Sequence, residues 1–360
     1  MNDSNFSNRH LPAAEVAKAV THRGPSRVPM MLHFWTDASR FGERAAEAQA
    51  ILDRYPSDAC SVWPAMPTNC VDPASAAFIP GYTWTQAPAS PPDQVKAHDA
   101  NIAITDWSTL DDLLARLPDP NHPAALASLK DKLQTDSGGR YTMLAWWYCL
   151  YERIWSLRGM ENVLMDFYLN PESVHRLLDA LTDFYCALIR RAGRELGLNA
   201  IMTSDDIGMQ TGPMFSRDIF LQFFKARYAR IIKTAHDSNM HFWLHTCGNV
   251  KAFLDDFVEI GLDVIHPIQK YTMDERETAN KYGGKLCFWA GMDVQQILPR
   301  GTPEDVRREV RFMIDTYDRP DGGCIITAGN AITPDVPLEN LEALYDETYR
   351  YGLEHRQRFA

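Results

Sequence analysis

The amino-acid sequence predicts a single-domain (β/α)8 barrel of the TIM type, and three observations lead to that prediction. Short apolar runs alternate with helical segments along the chain, as expected for a parallel sheet that is buried on both faces. The number of such runs is eight, which suits a closed barrel. No glycine-rich phosphate fingerprint follows the first run, although a doubly wound open sheet that binds dinucleotides would carry one there.

The predicted strands are compact apolar runs bounded by turn-forming residues. Pro29 stands near the start of the first run, where a missing N–H group is tolerated. In chain order, the predicted strands span residues 27–35, 59–64, 140–147, 200–204, 240–245, 264–268, 286–290 and 324–328.

Helical periodicity separates these runs. Ser216 and Thr302 are suitable N-cap residues for two of the helices, and Pro171 stands in the first turn of a third, where proline costs least. The predicted helices span residues 12–20, 43–54, 110–117, 123–134, 171–195, 216–238, 250–260, 273–282, 303–317 and 338–351.

Two segments interrupt the alternation. Residues 1–11 are polar and predict a disordered tail, which leaves residues 12–360 for the barrel. Residues 67–107 are rich in proline with scattered aromatic residues and predict a long loop insertion after strand two. A loop of this length in a compact protein is usually functional or mobile.

Composition limits the classes of function. The chain is 45% hydrophobic and 23% charged, as in soluble globular proteins, and its net charge of -11 disfavours binding to nucleic acid. There is no apolar run of about 18 residues and no apolar N-terminal leader, so the sequence predicts neither a membrane span nor a signal peptide. The seven cysteines form no CxxC pair, which favours reduced thiols and a cytoplasmic protein.

The end of the fifth predicted strand carries two metal-type ligands. His245 and Cys247 are two residues apart, so on an extended backbone they project to the same side. An imidazole and a thiolate suit Zn2+, although a catalytic zinc usually takes three protein ligands. The alternative is a hydrogen-bonded loop histidine beside a small buried thiol.

Other polar and aromatic side chains also follow predicted strands, and chemistry in such barrels lies at that end. Adjacent acids Asp205 and Asp206 follow strand four and are candidate catalytic groups, because paired carboxylates at a mouth are costly unless they hold a cation, a proton or a substrate. They could instead be turn residues. The candidate substrate-binding residues are His33, Trp35, Trp63, Trp147, Gln269, Asp293 and Asn330, of which the tryptophans could equally be packing residues.

The third metal ligand stays open in the sequence. Cys324 and Cys287 stand at the beginning of their strands, so both belong to the opposite end of the barrel. The remaining donors are Asp205, Asp206 or a substrate atom, with Asn330 as a neutral and poorer one.

Five short stretches of the chain form a recognisable combination. They are His-Thr-Cys-Gly-Asn at 245–249, Asp-Asp-Ile-Gly at 205–208, Gly-Met-Asp at 291–293, Pro-Asp-Val-Pro-Leu-Glu-Asn at 334–340 and Arg-Val-Pro at 27–29. Together they resemble the uroporphyrinogen decarboxylase superfamily, over residues 12 to 353, and the resemblance implies a single TIM-type barrel. Within the superfamily, the His-x-Cys element is similar to the zinc site of cobamide-dependent methyltransferases, including the methyl-transferring components of O-demethylases.

Two departures from the family pattern matter. The porphyrinogen decarboxylases carry an arginine-rich segment after strand one, whereas residues 35–40 of this chain hold one arginine and one acid. The zinc methyltransferases place a cysteine ligand after strand eight, where this chain has Asn330.

The leading hypothesis is therefore a methyltransferase that moves a methyl group between a small substrate and a corrinoid carried by a separate protein, with zinc bound by His245 and Cys247. The aromatic side of the mouth favours an aryl methyl ether, and a thiol acceptor is the other option. The alternatives are a metal-free decarboxylase that uses Asp205 or Asp206, and a non-catalytic binding protein. The oligomeric state, including a homo-oligomer, stays open.

Overall fold

The computed structural model describes residues 10–69, 78–85 and 102–359, and within them a parallel sheet of seven strands is paired in sequence order. The strands are short and buried on both faces because amphipathic helices cover the outside. Their bounds are β1 (Ala59–Val62), β2 (Tyr141–Trp146), β3 (Ala200–Ser204), β4 (His241–His245), β5 (Val264–His266), β6 (Cys287–Met292) and β7 (Cys324–Ala328).

The first predicted strand, residues 27–35, is wrong in its second half. Leu32–Phe34 form a turn of 3-10 helix, and the extended part is reduced to a single bridge between Met30 and Ile326 of β7. The Met31 N–H donates to the Ile326 carbonyl, and the Asp58 N–H, next to β1, donates to the Met30 carbonyl. This short segment thus stands between the two edge strands, where the eighth strand of a TIM-type barrel belongs.

A buried carboxylate holds this segment in place. Asp58 accepts the backbone N–H groups of Leu11 and Met30 and forms a 2.8 Å ion pair with buried Arg27. Because every oxygen of Asp58 has a charged or N–H partner, its burial is compensated. Leu11, which the sequence assigned to a tail, is therefore already packed on the barrel. Residues 1–9 lie outside the described residues.

The helices agree closely with the periodicity. Thr302 makes a capping box with Asp305, and Ser216 accepts the Ile219 N–H, as their residue types predict. The helices are α1 (Ala13–Val20), α2 (Ala45–Arg54), α3 (Leu110–Leu114), α4 (Leu129–Asp136), α5 (Tyr151–Arg158), α6 (Met160–Leu169), α7 (Pro171–Leu196), α8 (Arg217–Ile219), a π-helical stretch Phe220–Lys225, α9 (Ala226–Asp237), α10 (Leu254–Glu259), α11 (Glu275–Tyr282), α12 (Ile297–Arg300), α13 (Pro303–Tyr317) and α14 (Leu338–Gln357).

Helices α5 and α6 were not predicted. Six of the eight residues of α5 are buried, including Glu152 and Arg153. A helix enclosed on most sides has no polar stripe, so its sequence lacks the amphipathic period on which the prediction relied. Helix α5 follows β2 and lies at the end of the barrel where the candidate residues are found.

The predicted insertion at residues 67–107 stays a prediction, because residues 70–77 and 86–101 lie outside the described part. Of the rest, Trp84 is buried, and its backbone N–H donates to the Thr68 carbonyl. Among the residues described, no helix has both the length and the apolar character needed to cross a membrane.

Candidate metal centre and active site

Three potential ligands from neighbouring strand ends converge at the carboxyl end of the sheet. Asp206 follows β3, His245 ends β4, and Cys247 lies two residues beyond. Their ligand atoms all lie within 4.8 Å of one another. His245 Nε2 is 3.4 Å from Cys247 Sγ and 3.6 Å from an Asp206 carboxylate oxygen. Of the two acids that the sequence left open as donors, Asp206 is the one beside His245 and Cys247.

The two separations from His245 Nε2 fit a tetrahedral zinc ion. Bonds of about 2.3 Å to sulfur and about 2.0–2.2 Å to nitrogen and oxygen place the ligand atoms of a tetrahedral site about 3.4–3.6 Å apart. One imidazole, one thiolate and one carboxylate would leave a fourth position open, which is the arrangement of catalytic zinc sites. The donor set therefore fits the metal that the spacing of His245 and Cys247 predicted.

A second histidine fixes the proton on His245. His266 Nε2 lies 2.9 Å from the Ala328 carbonyl oxygen, which can only accept, so this nitrogen carries the proton. Burial lowers the pKa of His266 well below its usual value, so the ring is neutral and its Nδ1 is an acceptor. His245 Nδ1 lies 2.6 Å from that atom and must donate to it. The unprotonated Nε2 of His245 thus points toward Asp206 and Cys247, ready to bind a metal.

Two glycines bring the ligand loops together. A Cβ atom on Gly208 would lie 2.6 Å from the Cys247 carbonyl oxygen, and one on Gly248 would lie 2.5 Å from the Gly208 carbonyl carbon. Gly248 also has a φ of +83°, which side chains rarely adopt. The close backbone approach lets the Cys247 N–H donate to Asp206 at 2.7 Å. Side chains at either glycine would separate two of the three ligands.

The electrostatics of the metal-free site favour neutral donors. Burial raises the pKa of the Cys247 thiol to about 12, and the Asp206 carboxylate adds to the rise. Burial likewise lowers the pKa of His245, against the opposite effect of Asp206. A divalent cation would reverse the first of these shifts, because a metal-bound thiol is deprotonated.

Asp205 faces away from these ligands although it is adjacent to Asp206. Its carboxylate is fully buried and accepts the N–H groups of Leu150, Tyr151 and Glu152 as well as the Tyr228 hydroxyl. These are the unpaired N–H groups at the start of α5. The structure therefore places Asp205 as the anchor of α5, behind the cavity that Asp206 lines.

Glu152 is a residue that the sequence reasoning missed. Its carboxyl group lines the main cavity beside Asp206 and accepts a 2.6 Å hydrogen bond from Ser204 Oγ. Burial raises the pKa of Glu152 well above its usual range, and Asp206 and Asp205 raise it further. Its surroundings thus favour the protonated carboxylic acid over the carboxylate more than those of an exposed glutamate do. The available signal was an acid within the apolar stretch that follows β2.

The cavity in front of the ligands measures about 620 Å³ and has an aromatic wall opposite the acids. Trp35 stacks on His266 with ring centroids 5.1 Å apart, and Trp147 lies 5.6 Å from Trp35. Trp63 packs on Trp147 at 5.2 Å and lines a neighbouring cavity. His33 lines the main cavity and bonds to the Leu52 carbonyl through Nε2. The predicted aromatic side of the mouth is therefore a continuous surface.

The remaining predicted residues divide into two groups. Asn330 lines the main cavity, and its amide lies 3.7 Å from Cys247 Sγ. Gln269 and Asp293 line a small cavity on the other side of Cys247. Gln269 accepts the Gly248 N–H, and Asp293 accepts the N–H groups of residues 295–297 at the start of α12. Both are placed to position loops.

Known proteins resemble this chain in both sequence and fold. A family model described as uroporphyrinogen decarboxylase (URO-D) matches residues 150–351. Uroporphyrinogen decarboxylase of Actinobacillus succinogenes is 26% identical over 197 residues, which are 55% of this chain and 54% of the relative. That of Legionella pneumophila is 28% identical over 203 residues, 55% of each chain. The chain thus spans about half the length of the curated relatives it matches.

A solved structure described as a methyltransferase from Methanosarcina mazei shares the fold. Its TM-score is 0.62 at 16% identity, and the alignment covers 95% of this chain and 99% of that one. This likeness covers 95% of the chain, whereas the family model matches only residues 150–351.

Proposed function

Because the chain belongs to the uroporphyrinogen decarboxylase family, we propose that it is an enzyme of that family which transfers a methyl group rather than releasing carbon dioxide. One partner in the transfer would be a corrinoid delivered by a separate protein. The other would be either a small methylated substrate, such as an aryl methyl ether, or a thiol that accepts the methyl group. The observation that carries the proposal is the convergence of Asp206, His245 and Cys247, whose ligand atoms lie within 4.8 Å of one another, with His245 Nε2 3.4 Å from the sulfur and 3.6 Å from the carboxylate. The methyltransferase fold of the Methanosarcina mazei protein supports the same direction.

Zinc held by Asp206, His245 and Cys247 would supply Lewis acidity at a substrate oxygen or sulfur. The chain's own residues would do the rest. His266 keeps the proton of His245 on Nδ1, away from the cavity. The aromatic wall excludes water and packs against the face of a planar substrate.

Glu152 gives the reaction a proton donor. When a methyl group leaves an aryl ether as a cation equivalent, the C–O electron pair stays on oxygen, and that oxygen takes up a proton. Burial and two neighbouring acids raise the pKa of Glu152 at the cavity surface, which favours its protonated form. A raised pKa suits a carboxyl group to the role of general acid. Asp205 is closed off from the cavity, so we assign the acid role that the sequence gave to Asp205 or Asp206 to Glu152.

The curated relatives favour a second candidate, which is decarboxylation without a metal. A porphyrinogen carries several carboxylates and needs cationic partners. The main cavity has one arginine, Arg40, against three acids, Asp37, Glu152 and Asp206. This charge balance opposes a polyanion at the metal centre.

Metal analysis of the purified protein tests the proposal. We expect about one zinc per chain, with anomalous scattering that places it between Asp206, His245 and Cys247. Incubation with a methoxylated aromatic compound and a reduced corrinoid protein should then give the methyl-cobalt absorption spectrum. Absence of metal together with carbon dioxide release from a porphyrinogen would refute the proposal in favour of the second candidate.

A further inference from the structure

A second cavity adjoins the main one and carries a positive charge in its wall. It measures about 400 Å³, and Trp147 and Tyr148 line both cavities. Glu152 and Arg153 are consecutive residues of α5, so their side chains leave the helix about 100° apart. Glu152 lines the main cavity, and Arg153 lines the second. Consecutive residues of α5 thus place a carboxyl group in the main cavity and a guanidinium group in the second cavity.

Arg153 differs from the other buried arginines that the structure describes. Arg153 is only 4% exposed, yet it forms no ion pair with any described carboxylate. Each of the others has an acidic partner. The pairs are Arg27 with Asp58, Arg191 with Glu195, Arg227 with Asp179 and Arg356 with Asp318.

The partners of Arg153 are neutral. Its Nη1 atom donates to the Asn69 side-chain oxygen at 3.0 Å and to Ser156 Oγ at 3.4 Å. The guanidinium carbon lies 5.1 Å from the centroid of the Trp84 ring and 5.3 Å from that of the Tyr148 ring. Aromatic faces attract a cation, but they do not neutralise its charge. Among the residues that the structure describes, this buried guanidinium therefore has no anion to bind as a fork.

We propose that the second cavity is an anion subsite in which Arg153 binds a carboxylate of the substrate. The inference rests on the proposed function and specifies its substrate as an aromatic methyl ether that bears a carboxylate. The ring would pack against Trp147, whose centroid lies 5.2 Å from Trp63 and 6.1 Å from His245. The reacting ether would lie on the His245 side of Trp147 and the carboxylate on the Arg153 side. This division also keeps the anion away from the acids of the main cavity.

Binding of two matched probes to the full chain tests the subsite. At pH 7.5, 4-methoxybenzoate is an anion, and 4-methoxybenzamide has nearly the same shape without the charge. We expect the benzoate to bind roughly 10- to 100-fold more tightly by calorimetry, as for a hydrogen bond to a charged group. Arg153→Gln should remove this preference while changing affinity for the amide by less than about threefold, and Arg153→Lys should retain part of it.

Arg40→Gln is the matched control, because Arg40 lines the main cavity and pairs weakly with Asp37 at 3.7 Å. It should keep the preference for the benzoate. Equal affinities in the wild type, no binding of either probe, or a preference that survives Arg153→Gln would overturn the assignment. If circular dichroism shows Arg153→Gln unfolded, the wild-type ratio and the Arg153→Lys ratio decide. Zinc content is measured separately, so failure of the metal site and failure of the subsite are distinguishable.

Discussion

The two sides of the barrel mouth are built in different ways. On the ligand side, formed by Asp206, His245 and Cys247, the Asp206 carboxylate accepts the Cys247 backbone N–H, and His245 Nδ1–H donates to His266. On the aromatic side, rings are held by other rings, and Trp63 and Trp147 remain 39% and 36% exposed. Large exposed aromatic surfaces in a cavity mark a place that a ligand covers. The ligand side is thus preorganised, whereas the aromatic side is completed by its substrate.

Removing two of the three candidate metal ligands should have the largest effect, which is the loss of bound zinc. His245→Ala combined with Cys247→Ala should lower zinc content from about one per chain to near zero, because a single carboxylate does not retain the ion. Mass spectrometry of the metals measures this. Cys287→Ala is the control, since its thiol is buried at the start of β6. Full zinc content in the double variant would place the metal elsewhere.

Substitutions at the adjacent acids Asp205 and Asp206 should affect different properties, one the stability of the fold and the other zinc binding. Asp205→Ala should lower the free energy of unfolding by about 3 kcal/mol, because it leaves buried N–H groups of α5 without an acceptor. Asp206→Ala should leave the free energy of unfolding within about 1 kcal/mol and lower zinc affinity instead. Urea unfolding of the metal-free proteins and zinc titration provide the two readouts. The reverse pattern would contradict the placement of the two side chains.

Removing the hydrogen bond between His245 and His266 should have an intermediate effect on zinc affinity. His266→Phe removes the acceptor of the His245 Nδ1 proton and keeps a ring against Trp35. Zinc affinity should fall roughly 10- to 100-fold, as for other partners of metal-binding histidines. Competition with a fluorescent chelator measures the affinity. Unchanged affinity would mean that His266 is only a packing residue.

Zinc affinity should rise as the pH rises. The raised pKa of Cys247, about 12, means that the thiol keeps its proton in the metal-free protein near neutral pH, and the metal must displace it. The lowered pKa of His245 means that the imidazole is already neutral at pH 7. Binding should therefore release one proton, and affinity should increase by about tenfold per pH unit between pH 7 and 8. Calorimetry in buffers of different ionisation enthalpy counts the protons, and a pH-independent affinity would argue against a thiolate ligand.

Substitution of a tryptophan on the aromatic side should have the smallest effect, which is weaker binding of an aromatic probe. Trp147→Ala should weaken binding of 4-methoxybenzamide by about tenfold, as expected for loss of a large contact surface, and should leave zinc content unchanged. Trp84→Phe is a useful comparison, because Trp84 is buried outside the main cavity. Loss of zinc in the Trp147 variant would show that the two sides are not independent.

The sequence predicted the elements that have regular periodicity. β3 and β7 match the predicted bounds, as does α13 with its Thr302 cap. The His245 and Cys247 pair was visible because strand geometry places residues two apart on one side. The choice of Asp206 as the third donor depended on the Gly208 to Gly248 contact, which is a long-range approach of two loops. No local pattern encodes such a distance.

The first strand and the acid Glu152 illustrate two other limits. Residues 27–35 have strand composition, but the Asp58 network holds only a short extended piece before the chain turns at Leu32. Glu152 lies on a helix buried on most sides, where acids are not expected unless they have partners. Its partners, Ser204 and the Asp206 N–H group, come from β3 and the loop after it. Tertiary contacts decided both cases.

Asp205 and Asp206, the adjacent acids after β3, contribute to two different parts of the site. Asp206 belongs to the candidate metal site, and Asp205 accepts the N–H groups at the start of the helix that carries Glu152 and Arg153. The proposed proton donor and the proposed anion-binding arginine are therefore positioned relative to the candidate metal site by two adjacent residues. Substitutions further along α5 could therefore change which substrates bind, while Asp205 and Asp206 keep the start of this helix fixed relative to the candidate metal site.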